Sequence, residues 1–475
     1  MDSIGLIKAP NYGKQYVDYL DAEAQKKQAP RILQAMEDFV SQGYITRQQA
    51  DAAAVYIGAE GADLHNPFGQ AVKDGVLTQE QGQHMSMSIM QASHGDHPCT
   101  GTATWLFDSG ETLLEGKDLS TDKRDDSIIK ATNGAVVRIK NCTLTKKGDT
   151  TDHSEGSFTG LNAGVLAEGG TIYIEDSSLV ADAYGGNNLF AHGKGSKIVL
   201  KNVLLDAYGK AANRCIYCAF GGTVEAENCE LTSRGVISST VATDTGQGTI
   251  RLKNCLIKTL GSGCASLYST GHIYAENCIC VAPETEGLII VGRDYMELTD
   301  THVFSGSGQG CKLAGSPGDP EEYSEFIMTG GSLTAIEGAA VYSAGNGRIT
   351  LRNVKVANPS GIAFAADYSG PNVDKMMRPG ETPQNCHVGI TIVEQYIEGI
   401  SSGSPAHGIT LSITQGSRYK GALNPANDAL YCNLHLDASS VLELTGDSYV
   451  HKLVNDDTTG ENIIKNGFTL TVLDK

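Results

Sequence analysis

The chain has 475 residues and a formal charge of −19, from 36 basic and 55 acidic side chains. That balance argues against a nucleic-acid partner, whose phosphates demand a basic surface, and against an anionic membrane face. Its 56 glycines exceed the usual ~7%, its 19% charged residues fall below the usual ~25%, and 40% hydrophobic content is too high for a disordered chain.

In chain order, Met1 to Gly13 lack a basic stretch followed by a long apolar run, so no secretory signal is expected. No segment reaches the ~20 apolar residues of a membrane span. A cytoplasmic location is therefore expected, with the twelve cysteines present as thiols.

The first ~95 residues carry an internal duplication. Gly43-Tyr44-Ile45-Thr46-Arg47-Gln48-Gln49 returns as Gly75-Val76-Leu77-Thr78-Gln79-Glu80-Gln81, a step of 32. In each copy a threonine precedes a glutamine by three positions, the capping box that satisfies orphan amides at a helix start. Helix-favouring stretches follow at Ala50 to Ile57 and Gln83 to Ala92. The expectation is a small α-helical domain over residues 1–98, built of two helical hairpins and serving as an end-cap or docking module. At its end, His94, His97 and Cys99 crowd within six residues and suit zinc or iron by ligand type. A loop capped by Pro98 explains them equally, so no metal and no other cofactor is expected.

From about Trp105 a short phrase recurs: Val137-Arg138-Ile139-Lys140-Asn141-Cys142, Ile198-Val199-Leu200-Lys201-Asn202-Val203, and Val224-Glu225-Ala226-Glu227-Asn228-Cys229. It continues at Ile250–Cys255, Ile273–Cys278 and Ile349–Val354. Asn202, Asn228, Asn254 and Asn277 are 26, 26 and 23 residues apart, and apolar and polar residues alternate within each phrase as in half-buried strands. Coils of 22–26 residues predict an all-β, right-handed parallel β-helix over residues 99–475. Asparagines then stack at a turn, and Cys142, Cys229, Cys255 and Cys278 form an inward column exchangeable with Val203 and Val354. Asp182-Ala183-Tyr184-Gly185 and Asp206-Ala207-Tyr208-Gly209 look like stacked turns.

Phrases flanking the coils add a resemblance. Thr145-Lys146-Lys147-Gly148-Asp149-Thr150, Gly160-Leu161-Asn162-Ala163-Gly164-Val165, Phe190-Ala191-His192-Gly193 and Tyr268-Ser269-Thr270-Gly271 are among them. So are the segments 326–334, 416–422 and 444–450. Together, over roughly residues 125–473, the chain resembles a family of gut-bacterial right-handed β-helix proteins, most of them described only as adhesin-like or carbohydrate-binding surface proteins. The resemblance implies the fold and leaves function open. This chain departs from the pattern in its twelve cysteines and its helical head. It also replaces part of a serine- and threonine-rich face with His192, Arg214, Tyr217, Cys218 and Phe220. Those departures suggest a surface scaffold recruited for intracellular work.

The strand before each asparagine phrase can be phased by its glycines. If first and third residues point inward, one outward row holds Leu166, Phe190, Tyr217, Ala242, Tyr268, Ile289 and Tyr342, and its neighbour holds Glu168, His192, Ala219, Asp244, Thr270 and Val291. Stacked aromatics beside proton-transfer groups would make a groove for a ring-shaped ligand. His192, Glu168 and Asp244 are the expected catalytic groups. Phe190, Tyr217, Tyr268 and Tyr342 are the expected binding platform, with Arg214 and Lys194 holding an anionic group. The excursions at Gly315 to Glu325 and Asp367 to Cys386 are expected to wall it. The function expected is a lyase, isomerase or epimerase working by proton abstraction on a sugar acid or other ring-bearing small molecule. The alternative is a non-catalytic carbohydrate-binding or adhesin-like protein. The expected partner is a small-molecule or carbohydrate ligand, with no nucleic acid and no membrane; homo-oligomerisation stays open.

Overall fold

The computed structural model describes residues 29–30, 32–59, 67–79, 81–82, 84–85, 97–209, 212–245, 247–315, 323–367 and 385–473. Among the described residues, the helices of the duplicated region include Arg47–Ile57 and Gly69–Lys73. Both capping boxes form. The Thr46 and Gln49 amides are bonded to each other's side chains at 3.0 and 3.2 Å, and those of Thr78 and Gln81 at 3.0 and 3.1 Å. The two copies also exchange equivalent bonds, Gln49 donating to the Val76 carbonyl at 3.1 Å and Gln81 to the Tyr44 carbonyl at 3.2 Å. The duplication in sequence is thus a two-fold relationship in space. Most of the stretch from Gln83 to Ala92 lies outside the described residues.

From Thr102 the chain winds as a parallel β-solenoid. Thr102–Phe107, Glu111–Glu115 and Asp118–Thr121 make one coil, and Asp126–Thr132, Val136–Lys140 and Thr143–Lys147 the next, each strand pairing in parallel with its counterpart. Repetition gives three long sheets of 12, 14 and 10 strands, with a 4-stranded and a 2-stranded sheet towards the C-terminal end. The alternation in the repeated phrase explains the burial. In Lys197–Lys201, Ile198 and Leu200 enter the core while Lys197, Val199 and Lys201 face out. Most inward positions are apolar, with Thr121, Lys146, Ser233, Thr259 and Ser305 buried among them at strand ends, and neighbouring coils stack their side chains into one continuous core.

The asparagine of each phrase turns the corner between sheets. Asn202, Asn228, Asn254 and Asn277 have φ of 54°, 55°, 53° and 51°, a left-handed conformation that asparagine tolerates better than most residues. Their side-chain amides form a ladder along the solenoid: Asn202 donates to Asp176 at 2.9 Å, Asn228 to Asn202 at 3.3 Å, Asn254 to Asn228 at 3.1 Å and Asn277 to Asn254 at 2.8 Å.

The residue after each asparagine is buried, and Cys142, Cys229, Cys255 and Cys278 share this column with Val203 and Val354 as expected. The column has a second role that the sequence did not disclose. The corner amide of one coil is capped by the side chain of the next: Cys142 N–H by Ser177 Oγ at 2.9 Å, Cys255 N–H by Cys278 Sγ at 3.4 Å, Cys278 N–H by Thr301 Oγ1 at 3.2 Å and Val354 N–H by Gln395 Oε1 at 2.6 Å. Hydroxyl, thiol and amide interchange there because each accepts a bond from an otherwise unpaired buried donor. All twelve cysteines are buried and free.

One expectation about the turns is corrected. Ala207 lies beside Ala181 and Asp206 beside Val180, so the two Asp-Ala-Tyr-Gly motifs are offset by two residues and do not stack. Asp206 is instead paired with Arg234, both contacts at 2.9 Å, and the guanidinium lies 5.3 Å from the Tyr208 ring centre. Among the described residues no helix is long and apolar enough to cross a membrane.

Candidate functional site

The outer face of the 12-stranded sheet carries the expected row. Lys130, Leu166, Phe190, Tyr217, Ala242, Tyr268, Ile289, Lys312 and Tyr342 sit side by side on successive coils. Val165, Ala167, Leu189, Ala191, Ile216, Cys218, Val241 and Leu267 alternate with them into the core. The inward and outward phasing is therefore as expected. The open groove is not. Leu166, Phe190, Tyr217 and Ala242 are buried in a second apolar cluster with Cys99, Leu161 and Ala163.

The cover is the excursion between Thr143–Lys147 and Val165–Glu168, which carries the short helix His153–Phe158. The Asp125 carboxylate anchors it, accepting from Thr150 Oγ1 at 3.0 Å and from Thr151 N and Oγ1 at 2.7 and 2.6 Å. Asn187 Nδ2 donates to the Gly156 carbonyl at 3.0 Å. Gly160, at φ 77°, rests directly on the row; a Cβ there would stand 2.8 Å from both Leu166 and the Phe190 ring. Only a glycine allows so close an approach in that conformation. Of the walls expected farther along, residues 316–322 and 368–384 lie outside the described residues.

His192 and Glu168 come together beside this cluster, against the segment that carries Cys99. His192 Nδ1 is 3.8 Å from Glu168 Oε1, and the imidazole meets the Phe220 ring edge-on at 5.4 Å. Glu168 is engaged further, by Lys130 Nζ at 2.8 Å and by the Cys99 amide at 2.6 Å, while Lys130 also donates to the Cys99 carbonyl at 3.3 Å. His192 is 4% exposed, which corrects its expected position on an open face. Phe190 and Tyr217 are likewise covered and offer no free ring face.

Asp244 lies two coils from His192, a separation of roughly 10 Å at strand spacing. It belongs to a different cluster. The Tyr217 hydroxyl donates to Asp244 Oδ2, and Thr245 N–H donates to Oδ1 at 2.8 Å. The Arg214 guanidinium lies 4.4 Å from the Tyr217 ring centre, with Nη1 3.4 Å from Ser157 Oγ. Burial, more than the facing Asp244, holds the Tyr217 hydroxyl well above its ordinary range. Burial and then the Asp244 charge do the same to Tyr268. Asp244, Tyr268 and Arg214 are partly exposed, so here the row reaches solvent.

The remaining expected residues are apart from that cluster. Tyr342 is three coils beyond Tyr268 and is buried, its hydroxyl donating to the Asp367 carbonyl and carboxylate, both at 2.8 Å. Lys194 is exposed in the turn after the His192 strand. His97 Nε2 is 3.6 Å from the buried Glu155 carboxylate, and Cys99 is tied through its backbone. His94 lies outside the described residues. Among the described residues no three His, Cys, Asp or Glu side chains are arranged to hold a metal ion.

Sequence reasoning missed Lys130 and Asp294. A lone lysine within Ile128-Ile129-Lys130-Ala131 was a signal, since an outward charge in a buried run needs a partner. Asp294, at the corner before Tyr295–Thr299, has its carboxyl pushed up to about 7 by burial. Nothing in its local sequence announces that. No protein-family model and no curated protein sequence matches this chain.

Proposed function

We propose that the partly open stretch of the 12-stranded sheet around Asp244, Tyr268 and Arg214 is a ligand site, and that the protein is a solenoid enzyme working by proton transfer on a ring-bearing small molecule or sugar acid. The parallel β-solenoid is a fold consistent with many carbohydrate-active enzymes, which agrees with this reading by analogy alone. The observation that carries it is the Tyr217–Asp244 hydrogen bond, with Arg214 across the same ring and Tyr268 one coil on. A carboxylate held by a buried phenol is a fixed proton acceptor, a guanidinium beside it suits an anionic substituent, and the Tyr268 ring offers a stacking surface. Asp294 adds a carboxyl still half-protonated near neutral pH.

In this reading His192 and Glu168 stand against the segment that carries Cys99 and do not touch substrate. Residues 1–98 are taken as a separate helical end-cap or docking unit. The burial of the His192–Glu168 pair favours a second reading, a non-catalytic carbohydrate binder using the same stretch. Screening sugar acids and neutral glycans by calorimetry and by turnover tests both. Tyr268→Ala should weaken binding at least tenfold, while Asp244→Asn should retain binding and lower turnover 10²–10⁴-fold. Binding without turnover in the wild-type protein selects the second reading. Ligand binding unchanged in Tyr268→Ala removes this face from both.

A further inference from the structure

Cys229, Cys255 and Cys278 follow the ladder asparagines on three successive coils, so they stack directly above one another. In-register parallel strands place equivalent Cα atoms about 4.8 Å apart, inside the 4.4–6.8 Å window that a disulfide spans. The sulfurs share one local setting, each 3.2–3.3 Å from the carbonyl two residues earlier. The Cys255 amide also points at the Cys278 sulfur, at 3.4 Å. Elsewhere the column holds Cys142, set between Lys117 and Ser177, and Val203, Thr301 and Val354, so within the column only here does thiol face thiol. Hydrogen bonds from Cys229 and then Cys278 hold the Cys255 thiol well below the usual thiol range. The central sulfur is also the one with a thiol on the coil to either side, so any link within the stack must pass through it.

We infer that this stack is an oxidisable site, in which a peroxide converts Cys255 and one stacked neighbour, Cys229 or Cys278, into a disulfide that staples two coils. The Cys255 thiolate attacks one peroxide oxygen, the O–O bond breaks, and water leaves with the thiol proton, giving a sulfenic acid. The neighbouring sulfur then attacks Cys255, forming the S–S bond and releasing the sulfenic oxygen as a second water. Two thiols lose two electrons and one hydrogen peroxide gains them. The third thiol of the stack is left over, since its remaining neighbours are a valine or a threonine.

The test treats the native full chain with millimolar hydrogen peroxide, blocks thiols in denaturant and maps the unreduced tryptic digest. Cleavage at Lys253 and Lys258 isolates Cys255 in the peptide Asn254–Lys258. The expected result is a fall from twelve titratable thiols to ten, with Cys255 linked to Cys229 or Cys278. Cys142, equally buried in the same column but beside Ser177, should stay a thiol. Cys255→Val, a side chain the column already accepts at Val203 and Val354, should keep all eleven remaining thiols, because Cys229 and Cys278 are then two coils apart. Cys278→Val should still form the Cys229–Cys255 link, which keeps the test valid if the central variant folds poorly. A thiol count unchanged by peroxide, a link to Cys280 in place of the stack, or cross-linking that survives Cys255→Val overturns the proposal.

Discussion

The carboxylate of Glu168 lies 2.8 Å from the ammonium of Lys130, on the neighbouring coil, and both side chains are nearly closed off from water. The pair is also the clamp on the preceding segment, since Glu168 takes the Cys99 amide and Lys130 takes the Cys99 carbonyl. Removing one partner leaves the other charge buried and unpaired, which typically costs 3–5 kcal/mol. Glu168→Gln should therefore lower stability by roughly 3 kcal/mol in urea melts. Hydrogen exchange should also speed up at the amides of residues 99–102, and an unchanged exchange rate there would show that the clamp has no structural role.

The asparagine ladder makes two separable contributions. Asn228→Ala loses its bonds to Asn202 and Asn254 and must hold an alanine at positive φ, a conformation worth roughly 1–2 kcal/mol against it. Asn228→Gly loses the bonds but not the conformation. The alanine variant should be the less stable of the two by about 1 kcal/mol in denaturant midpoints. Equal midpoints would show that the turn conformation is not strained.

On the outer face of the 14-stranded sheet the last residues of successive strands alternate in sign: Glu115, Lys140, Glu175, Lys201, Glu227, Lys253 and Glu276 lie side by side. Lys253 and Glu276 close to 2.9 Å and Lys140 and Glu175 to 3.5 Å. Cross-strand pairs of opposite charge each contribute a few tenths of a kcal/mol, and a slip of one coil would set like charges opposite. Glu227→Lys places three lysines in a row. The melting temperature should drop at low salt, with most of the loss recovered at high salt where exposed charges are screened. A salt-independent drop would point to packing.

His407 is fully buried, with Nδ1 2.9 Å from Ser404 Oγ, and burial lowers its pKa from 6.5 to about 4. Between those values the unfolded chain binds a proton that the folded protein refuses. Stability must therefore fall as pH drops from about 6.5 to 4, by on the order of 3 kcal/mol. Urea midpoints measured across that window should slope downward in the wild-type protein, and His407→Gln should flatten part of the slope. Identical slopes would assign the acid sensitivity to other groups.

Much of this architecture is legible in the sequence. Coil length, the inward alternation of residues such as Ile198 and Leu200, the asparagine corner and the buried cysteine column all recur at fixed spacing. Each depends only on local backbone geometry repeated along the chain. Outward direction is legible for the same reason, and Phe190, Tyr217 and Tyr268 do leave the core on one face. Exposure is not. Whether an outward side chain meets water depends on what packs over it, and those partners are distant in sequence: Cys99 reaches Glu168 across 69 residues, and Gly160 settles on Phe190 through a loop with no repeat to betray its path. The solenoid and the facing of its residues follow from the repeats alone, because a periodic pattern encodes a periodic backbone. Which part of that face is covered and which part meets water depends on the fold as a whole, because burial is set by long-range packing that no local pattern records.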